Sequence, residues 1–445
     1  MVDVKISALP ELGSGSLDAA ADFLLVSDAS AASSKRIKPA ELIKGAWSTV
    51  SPFWDFTTGA LSPSITFTRA SAGWRYNSAG VLVSETTDVA RFQYDPATLV
   101  PRGLLIEEAR TEAHPYNCAL DDASWVKSNI SITADDAAAP DGTTTMDKVV
   151  QTNLSASNHV RKATTFYSYV AGTTYMFAVV AKAAGRDWIY LQPTGGFGTT
   201  RAYFNVTAGT VGTLTAGVTA YITPLGGGLF RCVMLVTATI TAGGSLYLTS
   251  TTADNTPSPT GDGVNGLHAW AFALQAGDSV TSIIPTTTTT VTRAADVATI
   301  TNGLSLVDQC WIVKARTPCK SGGGLTNTAF QVDDGTNNNR RTLHYRTDST
   351  LHFIATSGGV TQCDIDLGAV AADTDFVVAV RWADNNFAAS LSGGAIVTDL
   401  AGTNPVNLTT ASIGRGAGAN YWNSTIKTIE TRRTATDAEL PLLAA

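Results

Sequence analysis

Thr174-Tyr-Met-Phe-Ala-Val-Val (174–180), Trp188-Ile-Tyr-Leu-Gln (188–192) and Arg201-Ala-Tyr-Phe-Asn-Val (201–206) are three short apolar or alternating runs. Breaks containing Gly, Asp and Pro separate them. Each has strand length, and no helical pattern lies between them. The same texture continues outward in Phe230–Thr237, Ser245–Thr249, Leu351–Ala355 and Phe376–Trp382. Many short strands at close spacing predict an all-β, multidomain chain of sandwiches or jelly rolls rather than a parallel α/β sheet. Two short helices are expected. One is at Pro39-Ala-Glu-Leu-Ile-Lys, with Pro early and an acidic first turn. The other is at Thr436-Asp-Ala-Glu-Leu, where Thr436 caps and Glu439 follows three residues on. The longest apolar runs, Tyr175–Ala181 and Phe376–Val380, fall far short of the 18 or so residues of a membrane-spanning helix. No membrane insertion is predicted.

The chain has 445 residues, 44% hydrophobic and only 15% charged, against a usual charged share of about 25%. It can bury real cores, which excludes wholesale disorder. Its polar surface must come from Thr, Ser, Asn and Gly. With Lys+Arg 30 and Asp+Glu 37, the formal charge is −7. No basic patch is dense enough to track a phosphate backbone, so nucleic acid is excluded as a partner. Five cysteines, Cys118, Cys232, Cys310, Cys319 and Cys363, form no C-x-x-C pair. They read as buried free thiols rather than a disulfide framework or zinc site, with Cys310 and Cys319 the pair a hairpin would bring together. The start, Met1-Val-Asp-Val-Lys-Ile, lacks the basic opening and apolar core of a secretory signal, which predicts a product not exported by the standard route.

Composition divides the chain. Residues 1–48 are Ala/Ser-rich, and 49–115 are aromatic and Arg-bearing, read as a small β connector. Residues 116–292 form one strand-rich block ending in the run Thr286–Thr290, expected to be a linker or edge strand. Residues 293–445 form a second block. The sequence shows no short-period repeat, so nothing in it supports a long parallel β-helix or solenoid.

Several segments carry a resemblance. Ile6-Ser-Ala-Leu-Pro, Asp22-Phe-Leu-Leu-Val-Ser-Asp and Lys35-Arg-Ile-Lys-Pro-Ala-Glu-Leu resemble the particle-attachment segment of tailed-phage fibres and spikes. Phe67-Thr-Arg-Ala-Ser-Ala-Gly-Trp, Arg91-Phe-Gln-Tyr-Asp-Pro and Pro101-Arg-Gly-Leu-Leu-Ile-Glu-Glu-Ala-Arg-Thr resemble the core of phage fibre and head-spike proteins. That family usually continues the last motif with Asn-Leu, where this chain has Glu112. The block from Trp125 to Asp296, with Pro140-Asp-Gly-Thr-Thr-Thr-Met-Asp-Lys-Val, Leu274-Gln-Ala-Gly and Thr292-Arg-Ala-Ala-Asp, resembles a carbohydrate-binding-module jelly roll. Family members often have Glu where Gln275 stands. The last block, through Tyr345-Arg-Thr-Asp and Trp422-Asn-Ser-Thr-Ile-Lys-Thr-Ile-Glu, resembles a concanavalin/laminin-G-like sandwich.

The resemblance implies a tail fibre or spike of the virion, commonly a homotrimer. Its N-terminus would dock on other virion proteins through Phe23, Leu24, Leu25 and Ile37, and its sandwiches would bind host-surface polysaccharide. A capsid-vertex spike or decoration protein is the alternative, and a capsule depolymerase a further one. No cofactor is implied.

Sugar binding needs flat aromatic faces, with amides, carboxylates or Arg to bracket hydroxyls. In the first sandwich, Trp188 and Tyr190 share a strand face, with Arg186 two residues before Trp188. Tyr203, Tyr247 and Trp270 lie on further strands. In the second, a Gly-rich loop carries Arg415, Asn420, Tyr421 and Trp422. The competing reading is that such rings fill the cores. The Asp333–Arg341 loop matches no EF-hand spacing, so no metal is predicted. Catalysis is not expected either. Glu107 and Glu108 are adjacent and point to opposite faces, whereas Asp364 and Asp366 share a face without a glycosidase signature. His344 and His352 are placed to meet across a hairpin.

Overall fold

The computed structural model describes residues 53–445 except 154–157, 258–259, 301–308, 323 and 417–419, together with the backbone of 24–28 and 33–37. The chain is all-β. Leu24–Asp28 and Ser33–Ile37 pair as an antiparallel hairpin with Leu24 opposite Ile37. Phe23 and the helix expected at Pro39 lie outside the described residues.

Two six-stranded antiparallel sheets form the first sandwich. The front sheet runs Val126–Ser128, His159–Arg161, Leu246–Thr251, Trp188–Pro193, Ala202–Asn205, Thr210–Leu214. The back sheet runs Ile130–Ala138, Thr144–Gln151, Gly266–Ala276, Thr174–Ala184, Leu229–Thr237, Thr219–Gly226. The strand Thr174–Ala184 shows why its sequence is continuously apolar. Tyr175, Phe177, Val179 and Ala181 enter the core between the sheets. Met176 and Ala178 pack on the other side with Val280 and Tyr221, and Val180 packs there with Tyr76 and Ile283. A strand covered on both faces loses its alternation. Trp188–Pro193 keeps it, because only Ile189 and Leu191 face the core.

The second sandwich takes strands from both ends of the chain. Its seven-stranded sheet orders Val360–Ala369, Thr350–Ser357, Arg340–Tyr345, Asn327–Asp333, Thr410–Ile413, Val297–Ile300 and Ile65–Thr68. The eight-stranded sheet contains Cys310–Arg316 and Ser424–Arg432, on which Pro101–Ile106 and Phe53–Asp55 pair. The sequence reading of 49–115 as a connector in its own right is therefore corrected. Trp54, Phe56, Ile65, Phe67, Leu104 and Ile106 belong to the same core as Phe330, Trp311 and Trp422. Pairing across about 230–380 residues leaves no local trace in the sequence. The first sandwich is an insertion into the second: Arg110–Glu112 going in pairs with Val291–Arg293 coming out. The threonine run is an irregular connector rather than an edge strand. It is tied by Thr286 N–H to Asn117 Oδ1, and by Tyr116 N–H to the Thr287 carbonyl. All five cysteines are free. At the C-terminus Thr436 opens a 3-10 turn leading into the single helical turn Leu440–Leu443, and Glu439 accepts from the Thr436 N–H at 2.7 Å.

The charges of the Arg-bearing motifs converge where insertion meets host sandwich. Asp296 takes Arg69 Nη1 at 3.2 Å, Arg91 Nη2, and the Glu107 N–H at 2.9 Å. Glu107 meets Arg91 at 2.8 Å and Arg293 at 3.4 Å, and accepts from Ser282 Oγ at 2.7 Å. All five charged side chains are at most 3% exposed. Arg110 extends the cluster, donating to Glu108 at 2.5 Å and to the Ala276 carbonyl. Its guanidinium occupies the space a Cβ on Gly277 would need, and Gly277 has φ +140°, so glycine is required there. Buried Glu112 accepts from the His114 and Leu274 N–H groups and, at 3.2 Å, from Gln275 Nε2. Acid and amide thus meet across a buried hydrogen bond.

Candidate functional site

The front sheet turns one face to the core and the other outward. Because Ile189, Leu191, Phe204 and Leu248 point inward, strand parity sends Trp188, Tyr190, Gln192, Tyr203, Tyr247 and Thr249 to the outer face. Tyr190 lies opposite Tyr203, with ring centroids 5.2 Å apart. The Arg201 guanidinium sits 5.5 Å over the Tyr190 ring and donates through Nε to Gln192 Oε1 at 2.7 Å. On the next strands His159 stacks on Tyr247 at 4.1 Å and 4°. Arg161 lies 5.6 Å over the same Tyr247 ring and donates to His159 Nε2 at 3.1 Å. Burial, and then Arg161, push the His159 pKa down to about 4, so the ring is neutral and accepts that bond.

Trp188 stands at the side of this face. Its indole packs against Gly212, where a Cβ would come within 2.5 Å of the ring, and the Asp254 carboxylate holds the neighbouring Thr213 N–H and hydroxyl. Tyr190 and Tyr203 are 4% and 2% exposed, so they form a floor. Tyr247, Gln192, Arg161, Arg201 and Trp188 are half-buried and rise around it. The accessible groups are this half-buried rim, whose guanidinium and amide groups suit the hydroxyls of a pyranose, with Trp188 as the aromatic surface beside them.

Of the residues expected from sequence, Trp188 and Tyr190 are brought together on this face. Arg186 is not. It pairs with Asp262 at 3.0 Å, in the turn that leads into Gly266–Ala276. Sequence reasoning missed Arg161, His159, Gln192 and Arg201 as companions. The available signal was parity, since each stands two positions from an outward residue or directly beside one across a strand pair.

The second expected cluster disperses. Trp422 is fully buried in the second core, edge-on to Phe376 and Tyr345, with its indole N–H donating to the Thr425 carbonyl at 3.3 Å. It is a packing residue, not a ligand contact. Tyr421 packs against the same core, and its carbonyl accepts from Asn327 Nδ2. Arg415 pairs backbone to backbone with Tyr421, leaving exposed Asn420 and half-buried Arg415 at the loop surface. Trp422→Phe is expected to lower stability by about 2 kcal/mol in urea titrations while leaving sugar binding unchanged. Weakened binding at full stability would return Trp422 to a ligand site.

His344 and His352 do face each other across their strand pair. His352 is bracketed by Asp364 at 2.7 Å and Asp366 at 3.4 Å, and Arg346 also holds Asp364, at 2.6 Å. The two carboxylates thus share one histidine. No cluster of metal-ligating side chains occurs among the described residues.

No family model and no curated protein matches this chain. Among solved structures, it is similar to the carbohydrate-binding module CBM40 of the Ruminococcus gnavus IT-sialidase bound to α2,3-sialyllactose. Identity is 15% and the TM-score 0.27, with 32% of this chain and 84% of the module covered. The NanB sialidase of Streptococcus pneumoniae is similar at 14% identity and TM-score 0.25, covering 31% of this chain and 24% of that one.

Proposed function

We propose that this chain is a virion fibre or spike component that binds host-surface polysaccharide through the outer face of its front sheet, without cleaving it. The observation that carries the binding reading is the half-buried rim of Arg161, Arg201, Gln192, Tyr247 and Trp188, held in place over the buried tyrosine pair. Resemblance of the first 115 residues to phage attachment and spike segments supports the virion part, with residues 1–48 as the anchor. A trimer turns weak single sites into firm attachment, because the second and third contacts form at high effective concentration.

Arg201 is half-buried and holds Gln192 in place, so Arg201→Ala is the informative variant. Affinity for host polysaccharide, measured by calorimetry on the intact chain, is expected to fall about tenfold per site. The melting temperature should change little. Unchanged affinity in Arg201→Ala and in Tyr247→Ala together would sink the front-face site. Shortening of the polysaccharide on incubation would replace adhesion with depolymerisation, and failure of residues 1–48 to capture virions lacking the protein would remove the anchor.

A further inference from the structure

A cavity of about 180 Å³ lies where the back sheet, the Gly73–Glu85 hairpin and the eight-stranded sheet meet. Four arginines line it, and three are neutralised. Arg75 pairs with Glu85, Arg102 with Asp95, and Arg316 with Asp373 and Asp375. The Arg231 guanidinium makes no hydrogen bond and no ion pair among the described residues. It rises from the outer side of the back sheet, with Val180 opposite it on one neighbouring strand and Thr223 on the other. The carboxylates whose charge bears on it are already engaged, Glu107 by Arg91 and Ser282, and Glu112 by two backbone N–H groups and Gln275. A guanidinium keeps its proton at neutral pH, so this charge cannot be discarded. Holding a half-buried guanidinium unpaired among charges that are already paired with one another is unfavourable.

The groups around it share a character. Tyr76 is 7% exposed and its hydroxyl has no partner, and the Thr425 hydroxyl, in a residue 4% exposed, has none either. Gln93 gives its carbonyl oxygen to the Tyr76 N–H at 3.0 Å, which leaves its amide N–H groups for the cavity. Trp74 and Tyr94 supply rings to the same wall. One spare cation, three uncharged hydrogen-bonding groups and two rings around this volume suit one sugar ring bearing one carboxylate. We propose that the cavity binds a monosaccharide acid, its carboxylate on Arg231 and its hydroxyls on Tyr76, Thr425 and Gln93. This site is separate from the front face and does not depend on the adhesion reading.

Calorimetry on the intact chain with glucuronate, glucose, acetate and inorganic phosphate tests it. Glucuronate is expected to bind at least tenfold more tightly than glucose or acetate. Arg231→Gln should abolish that preference while melting at or above the temperature of the unsubstituted chain, because it removes an uncompensated charge. Tyr76→Phe, which deletes only the hydroxyl, should weaken glucuronate severalfold, and it decides the matter if Arg231→Gln does not fold. Glucuronate binding that survives Arg231→Gln, or that Tyr76→Phe leaves unchanged, overturns the proposal. So does equal affinity for phosphate, acetate and glucuronate, which would mark a simple anion hole.

Discussion

Asp296→Ala is expected to cost about 3–5 kcal/mol of stability, because it strands buried cations rather than merely deleting an ion pair. Arg69 and Arg91 both terminate on this carboxylate, Arg293 stands 3.8 Å away, and the Glu107 N–H also donates to it. Without it, three arginines would share Glu107 alone, in a place none can leave without pulling a strand from its sheet. Asp296→Asn keeps the shape and removes the charge, so it should lose nearly as much. If the loss came from packing, the asparagine variant would be close to the unsubstituted chain. Urea denaturation of the three proteins separates these outcomes, and a loss under 1 kcal/mol in both variants would show that the cluster does not hold the insertion to its host.

Acidification from pH 7 to pH 4 is expected to remove stability on the order of 5 kcal/mol. Burial drives His114 and His344 down to about 3, and His159 to about 4. These groups are neutral in the folded chain and take protons in the unfolded one. Their contribution is complete above the ordinary histidine value of about 6.5 and drains away as pH falls toward 3. Glu107 acts later. Burial alone would raise its carboxyl, but Arg293 and Arg91 pull it down to about 2, so its share is lost between about 4.5 and 2. Glu112 opposes the trend, since burial raises it to about 8 and its stabilisation is fullest below about 4.5. The histidines outnumber it, and the net slope is downward. Urea midpoints at pH 7, 5 and 4 measure this, and His344→Asn should flatten the curve by about half. A midpoint that rises from pH 7 to pH 5 would mean that Glu112 dominates instead.

Strand identity was legible because the side-chain period of two survives wherever one sheet face is wet, as in Trp188–Pro193. The cap at Thr436 and the pairing of His344 with His352 were legible for a similar reason, being set by offsets of a few residues. Three things were not. The Arg-bearing motifs gave no sign that Arg69, Arg91, Glu107, Arg293 and Asp296 meet, since their contacts span up to 227 residues. Trp422 lies beside a Gly-rich loop, and nothing local distinguishes a ring dropping into a core from one offered to a ligand. Arg186 obeyed the spacing expected of a site residue, yet the Asp262 turn, brought close only by tertiary folding, captured it.

The interleaving of early and late strands sets a schedule for synthesis. Pro101–Ile106 is made about 190 residues before Val297–Ile300, and its partner Ser424–Arg432 comes later still. Phe92–Tyr94 can pair with one edge of this strand at once, but at roughly 5–20 residues per second the other edge of Leu104, Leu105 and Ile106 waits about 15–65 s for its partner. The inserted sandwich can complete its core during that interval. As it closes, Arg110–Glu112 zips to Val291–Arg293, so the waiting strands are carried to the spot where their partners will emerge. A ribosome stall between these two points would leave a folded head on a sticky tail, and cells making this protein in quantity should shed aggregates whose cleavage-resistant core is the first sandwich alone.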